Sequence, residues 1–182
     1  MAITLLNHTQ YPVRYRILKG QQVIALLPEA APGGSITVPT DNVYTVVAST
    51  TLDGNLYTSA PLTVTQGVGF LAEVKQDRAQ QTYVFEVVEI PSSQPNQLEF
   101  ESTWKSEVVF TILKDGRPLQ SVVVIDAFMK SVLALGDTYS VSAVINGVTT
   151  DVVTTTDPNA TITAVEDTTA HPGYFTLRIS AL

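Results

Sequence analysis

The residues able to do chemistry are few, and their spacing brings none of them into an evident constellation. Histidine occurs only as His8 and His171. A catalytic histidine needs a serine or carboxylate held at nucleophile–base distance, and neither has one at a recognisable spacing. Cysteine is absent, which removes thiolate nucleophiles, disulfides and sulfur-ligated metals together. Zinc would need three or four converging His, Cys or carboxylate ligands. Asp53 with Asn55, Asp151, Asp157-Pro158-Asn159 and Glu166-Asp167 place hard oxygens in turns. They lack the alternating acids and central glycine of a calcium loop, and read as solvated turn residues. Gly67-Val68-Gly69 has no helix after it to receive a phosphate. An enzyme would have to gather several of Asp126, Asp137, Glu166 and His171 into one pocket. The expectation is no catalytic residue, no cofactor and no metal.

Residues suited to binding are more evident. Trp104, the sole tryptophan, is flanked by Ser102, Thr103, Lys105 and Ser106. An aromatic ring in a polar setting can carry a sugar ring, anchor a protein partner or pack between domains. Arg14 and Arg16 stand about 7 Å apart if their segment is a strand. They could grip an anion, although charges on a solvent face serve by default to deter edge-to-edge aggregation. The run Val122-Val123-Val124-Ile125-Asp126-Ala127-Phe128-Met129 is rich in apolar bulk. Phe128 and Met129, if exposed, mark an interface.

The elements that must position these residues are strands. Val13, Tyr15 and Ile17 alternate with Arg14 and Arg16, the period of two expected of a sheet with one buried face. Val108, Phe110 and Ile112 repeat that alternation, as do Tyr44, Val46, Ala48 and Tyr139, Val141, Ala143. Asp53-Gly54, Asp115-Gly116 and Asn146-Gly147 suit two-residue hairpins with positive φ. Pro32-Gly33-Gly34 breaks any regular element. Strands are expected near 3–8, 12–19, 22–27, 35–39, 43–52, 55–64, 69–76 and 82–90, and the segment 122–135 reads as a strand followed by a turn rather than a helix.

The chain also repeats itself. At an offset of 95, Ile3 meets Leu98, Leu5 meets Phe100, Tyr15 meets Phe110, Ile17 meets Ile112 and Tyr44 meets Tyr139. The offset shrinks to 93 at Asp53-Gly54 against Asn146-Gly147, and to 91 at Tyr83 against Tyr174. Thr9 stands where the second copy has Trp104, and the polar Pro32-Gly33-Gly34-Ser35 turn stands where it has the apolar 122–129 segment. The scaffold residues match while the surfaces diverge. The expected organisation is an all-β chain of two tandem, internally duplicated β-sandwich domains, 1–90 and 98–182, joined by the linker 91–97.

Asp41-Asn42-Val43-Tyr44-Thr45-Val46 and Gly136-Asp137-Thr138-Tyr139-Ser140-Val141 resemble the tyrosine corner of immunoglobulin-like domains. The resemblance covers some six residues per copy. It departs from the family in having about three strands after the Tyr, so an immunoglobulin-like or a jelly-roll-like sandwich is expected.

Composition sets outer limits. In 182 residues, 45% are hydrophobic and 15% charged, which suits a packed core. The net charge of −7 divides as −2 over residues 1–91 and −5 over 92–182. With no basic run, nucleic acid and anionic lipid are poor partners. No apolar run approaches a membrane span, and Met1–Asn7 has no basic n-region or apolar h-region of a secretory signal. A soluble, cytoplasmic protein is expected, with signal-independent secretion equally compatible. The functional expectation is a non-catalytic binding or assembly protein acting through its sandwich surfaces on a protein partner or on itself, with Trp104, Phe128, Met129, Arg14 and Arg16 as candidate interface. The alternative is a carbohydrate-binding, lectin-like or toxin-like surface binder.

Overall fold

A computed structural model describes residues 1–65, 67–169 and 173–180. The described chain is all-β, with strands β1 (Ala2–Asn7), β2 (Val13–Lys19), β3 (Gln22–Val23), β4 (Ser35–Pro39), β5 (Thr45–Leu52), β6 (Asn55–Thr58), β7 (Leu62–Thr63), β8 (Val68–Asp77) and β9 (Thr82–Pro91) in the first half. The second half supplies β10 (Gln97–Ser102), β11 (Val108–Lys114), β12 (Arg117–Val124), β13 (Lys130–Ala134), β14 (Tyr139–Ile145), β15 (Val148–Thr149), β16 (Val153–Thr155), β17 (Thr161–Glu166) and β18 (Phe175–Ser180). The period-two segments became strands with the expected faces: Val13, Tyr15 and Ile17 are buried, whereas Arg14 and Arg16 are exposed. The three hairpin turns have the left-handed geometry their sequences demand, for example φ 48° at Asp53 and 80° at Gly54.

The chain divides into two compact units, Met1–Asn42 with Gly136–Leu182, and Val43–Leu135. The sequence segments 1–90 and 98–182 therefore each contribute to both units. The first unit holds the sheets β18-β17-β1-β4 and β15-β14-β2-β3, and the second holds β13-β10-β8-β9 and β12-β11-β5-β6. β16 and β7 add to the five-stranded sheets through β14 and β5. Residues 91–97 run from the end of β9 into the start of β10, inside one sheet of the second unit.

Each unit is a sandwich of its two sheets. In the first unit Tyr15 reaches from β2 to the other sheet. Its hydroxyl donates to the Leu6 carbonyl at 2.5 Å and accepts from the Ala164 amide at 3.2 Å. Burial pushes that phenol up to about 12, because the charged form would lose its water. In the second unit Phe70 stacks on Phe100 with centroids 5.7 Å apart, and Phe100 meets Phe110 of the facing sheet at 5.1 Å. Val46, Ala48, Leu98, Val108 and Ile112 complete that core.

The same local bonds occur at corresponding places in the two halves. The Ala48 amide bonds Ser59 Oγ at 2.9 Å, and the Ala143 amide bonds Thr150 Oγ1 at 3.0 Å. The Thr40 amide bonds the Met1 carbonyl, as the Leu135 amide bonds that of Asn96. The Thr9 amide is capped by the Asn7 side chain, as the Trp104 amide is by Ser102 Oγ.

Candidate functional site

The turn between β12 and β13 holds the most exposed large apolar side chain among the described residues. Phe128 is 96% exposed, and Ile125, Met129, Val123 and Val132 surround its turn at 61%, 48%, 41% and 44%. Its backbone is left-handed, with φ 65°, a region that a bulky side chain rarely enters. The Phe128 amide bonds the Ser102 carbonyl at 3.3 Å and the Met129 amide bonds that of Asp126 at 3.4 Å. Ser131 Oγ donates to the Val123 carbonyl and ties the start of β13 to the end of β12. β12 forms the outer edge of its sheet, and from Pro118 through Ile125, one residue past its end, the chain carries no charged side chain. The edge strand β9, by contrast, carries Glu86 and Glu89.

On β10, opposite Val132 of β13, lies Glu99, a carboxylate only 1% exposed. It accepts from the Ser93 hydroxyl, from the Ser93 amide at 2.9 Å, from Gln97 Nε2 at 2.8 Å and from Lys130 Nζ at 3.0 Å. The Ser93 hydroxyl, and to a lesser degree Lys130, hold its carboxyl down to about 2 against the opposing effect of burial. Gly69 is its neighbour on β8. A Cβ there would come within 2.8 Å of Ile90 Cγ1 and 3.4 Å of Glu99 Cβ, so any side chain at this position would have to displace Ile90. All of this carboxylate's bonds tie the 93–97 turn and β13 to β10, which is a structural task. Sequence reasoning missed it, because Leu98 and Phe100 point to one buried face and put Glu99 on the other.

A polar cleft of about 560 Å³ opens between the β5–β6 and β8–β9 turns, lined by Asp53, Gln76, Arg78, Gln81, Thr82 and Tyr83. The Tyr83 hydroxyl bonds the Asp53 carboxylate, which raises the phenol's pKa. The Tyr83 ring meets Tyr57 edge-on at 6.5 Å and Trp104 at 6.4 Å. Trp104 is half-buried against the core of the second unit, with Lys105 Nζ 5.8 Å from its ring. Its indole nitrogen is buried without a hydrogen-bond partner among the described residues.

The remaining candidates lie apart. Arg14 is engaged by Glu29 at 2.7 Å across the solvent face of β2, which leaves Arg16 exposed beside it without an ion pair among the described residues. His8 is exposed, and its backbone amide bonds the Ala164 carbonyl. His171 lies outside the described residues. Asp126 belongs to the second unit, and Asp137 and Glu166 to the first. The turn carboxylates act locally: Asp157 caps the Asn159 amide, Asp167 caps Thr169, and Asp151 accepts from the Tyr174 hydroxyl. Among the described residues no group of three or more His, Asp or Glu side chains is placed to hold a metal ion, and no helix is long and apolar enough to cross a membrane. No protein-family model, curated protein or solved structure matches this chain.

Proposed function

We propose that this is a non-catalytic binding and assembly protein, built by duplication of one scaffold over residues 1–90 and 98–182, that associates with a second copy of itself through the β12 edge and the Phe128 turn. The duplication is supported by the repeated bonds and by the matched sheet orders β18-β17-β1-β4 and β9-β8-β10-β13. The observation that carries the functional reading is Phe128, which holds strained backbone and full exposure at once. A fold selected only for stability would keep neither.

A second copy suits this surface electrostatically. Molecules carrying −7 repel one another, and the run Pro118–Ile125 is free of charge, bounded by Arg117 at one end and Asp126 at the other. Antiparallel approach of two such edges sets opposite charges toward each other at both ends, and an edge strand without charges, guarded only near its start by Pro118, is left open to pairing over Leu119–Val124. Light scattering on a size-exclusion column over a range of concentrations tests this. The mass should rise above 19.6 kDa with concentration for the parent and stay monomeric for Phe128→Gly. A parent that remains monomeric throughout would refute self-association.

The polar cleft supports a second reading, a saccharide site. Planar amides and a guanidinium at Gln76, Gln81 and Arg78, a carboxylate at Asp53 and the ring of Tyr83 line one opening. Such groups satisfy sugar hydroxyls while the ring covers a C–H face. A glycan array with no specific hit would remove it.

A further inference from the structure

Every sheet is completed by strands from both sides of the Ser92–Asn96 connection. In the four-stranded sheets β1 runs parallel to β17, with Leu5 opposite Ile162, and β10 runs parallel to β8, with Phe100 opposite Phe70. In the five-stranded sheets β11 pairs β5 and β14 pairs β2. Removing these four pairings leaves each half with only local antiparallel pieces. The first half keeps β1 with β4, β2 with β3, β5 with β6 and β7, and β8 with β9. The second keeps β10 with β13, β11 with β12, β14 with β15 and β16, and β17 with β18. Pieces of two or three strands with an uncovered apolar face are marginal in water. The bonds that cross from sheet to sheet also join the halves, since Tyr15 of the first half receives the Ala164 amide of the second.

From this exchange we infer that residues 1–94 and 95–182 are obligate complementary partners, and that each accepts the complementary half of a second copy of this chain. The peptide connection between them is dispensable to the folded state. Neither half encloses a sandwich of its own, whereas the two together enclose two. The shared surface is four strand-to-strand seams, each lined by buried apolar residues such as Ile3, Ile17, Phe70 and Val141. This interface does not involve the Phe128 turn, so the two proposals stand or fall separately.

The test is made on the full chain carrying a recognition sequence for a specific protease between Gln94 and Pro95, both exposed. That position leaves the Ser93–Glu99 and Asn96–Leu135 bonds in place. The uncut variant must melt as the parent does. After cutting, a denaturing gel should show two fragments, while non-denaturing chromatography shows one particle with the mass of the whole chain. Its melting temperature should now depend on protein concentration, because unfolding separates the halves. Fragments that part under native conditions, or that each retain a cooperative transition alone, would overturn the inference. Isotope-labelled and unlabelled cut chains, unfolded together in urea and refolded, should give hybrid particles amounting to about half the total by native mass spectrometry. Recovery of parental particles without hybrids would overturn acceptance of a second copy's half.

Discussion

Phe128 and Gly33 hold the same backbone position in two different turns. Their φ angles are 65° and 73°, and the Phe128 amide bonds the Ser102 carbonyl as the Gly33 amide bonds that of Asn7. The next amide repeats the correspondence, Met129 to Asp126 and Gly34 to Ala31. One turn fills the left-handed position with the residue that enters it freely, the other with one of the bulkiest.

Phe128→Gly should accordingly stabilise the second unit while abolishing association. Relief of the positive φ is worth about 1 kcal/mol, or roughly 4 °C or more in melting temperature for a unit of this size. Thermal melts at low concentration and light scattering at high concentration read the two effects separately. A loss of stability would mean that the phenyl ring packs on the fold.

Glu99 should give the protein an acid-sensitive contribution. Its folded pKa of about 2 lies below the ordinary 4.5, so its stabilisation is complete above about pH 4.5 and is lost as the pH falls toward 2. Glu99→Gln should cost about 2 kcal/mol at neutral pH, the worth of bonds made to a charged acceptor. In urea titrations the gap between parent and variant should close between pH 4.5 and pH 2, and a gap constant across that range would contradict the assignment.

Tyr15→Phe should cost about 2 kcal/mol, because it strands the Leu6 carbonyl and the Ala164 amide in the sandwich interior. The raised phenol also predicts alkaline sensitivity. Its contribution is complete below pH 10 and is lost as the pH rises from 10 to about 12. Denaturant unfolding of both proteins across that window should show the difference vanish.

Trp104 should report on the polar cleft. It lies 6.4 Å from the Tyr83 ring, so a saccharide seated there should alter the fluorescence of the only tryptophan. Titration with neutral monosaccharides should give a saturable change that Tyr83→Ala abolishes with the melting temperature held within a few degrees. A flat response across the panel would dismiss the cleft as a sugar site.

Much of this fold was legible because a strand announces its buried face. Val13, Tyr15 and Ile17 predict both the strand and its orientation, and Asp-Gly and Asn-Gly pairs predict the hairpins. What alternation does not announce is the partner. The apolar face of Ile3 and Leu5 looks the same whether the neighbouring strand is near in sequence or, as with β17, more than 150 residues away. The exchange of halves was therefore invisible, and residues 91–97 looked like a linker when they are a turn within one sheet. Glu99 was hidden for a related reason: β10 is buried on both faces, so alternation failed there. Phe128 did leave a signal, since the offset that aligns the halves sets it against Gly33.

The interleaving also imposes an order on synthesis. Residues 43–135 are contiguous and form a complete unit, so that unit can close as soon as its last strand leaves the ribosome. Strands β1 and β2 emerge earlier, yet their partners β17 and β14 are made only after that unit. At typical elongation rates residues 136–166, which carry β14 and β17, take roughly 2 to 6 s. Through that interval the apolar faces of Ile3, Leu5, Val13 and Ile17 are without their final cover. A segment translated before the second unit is thus completed after it, and it is during those seconds that chaperones and aggregation compete for it.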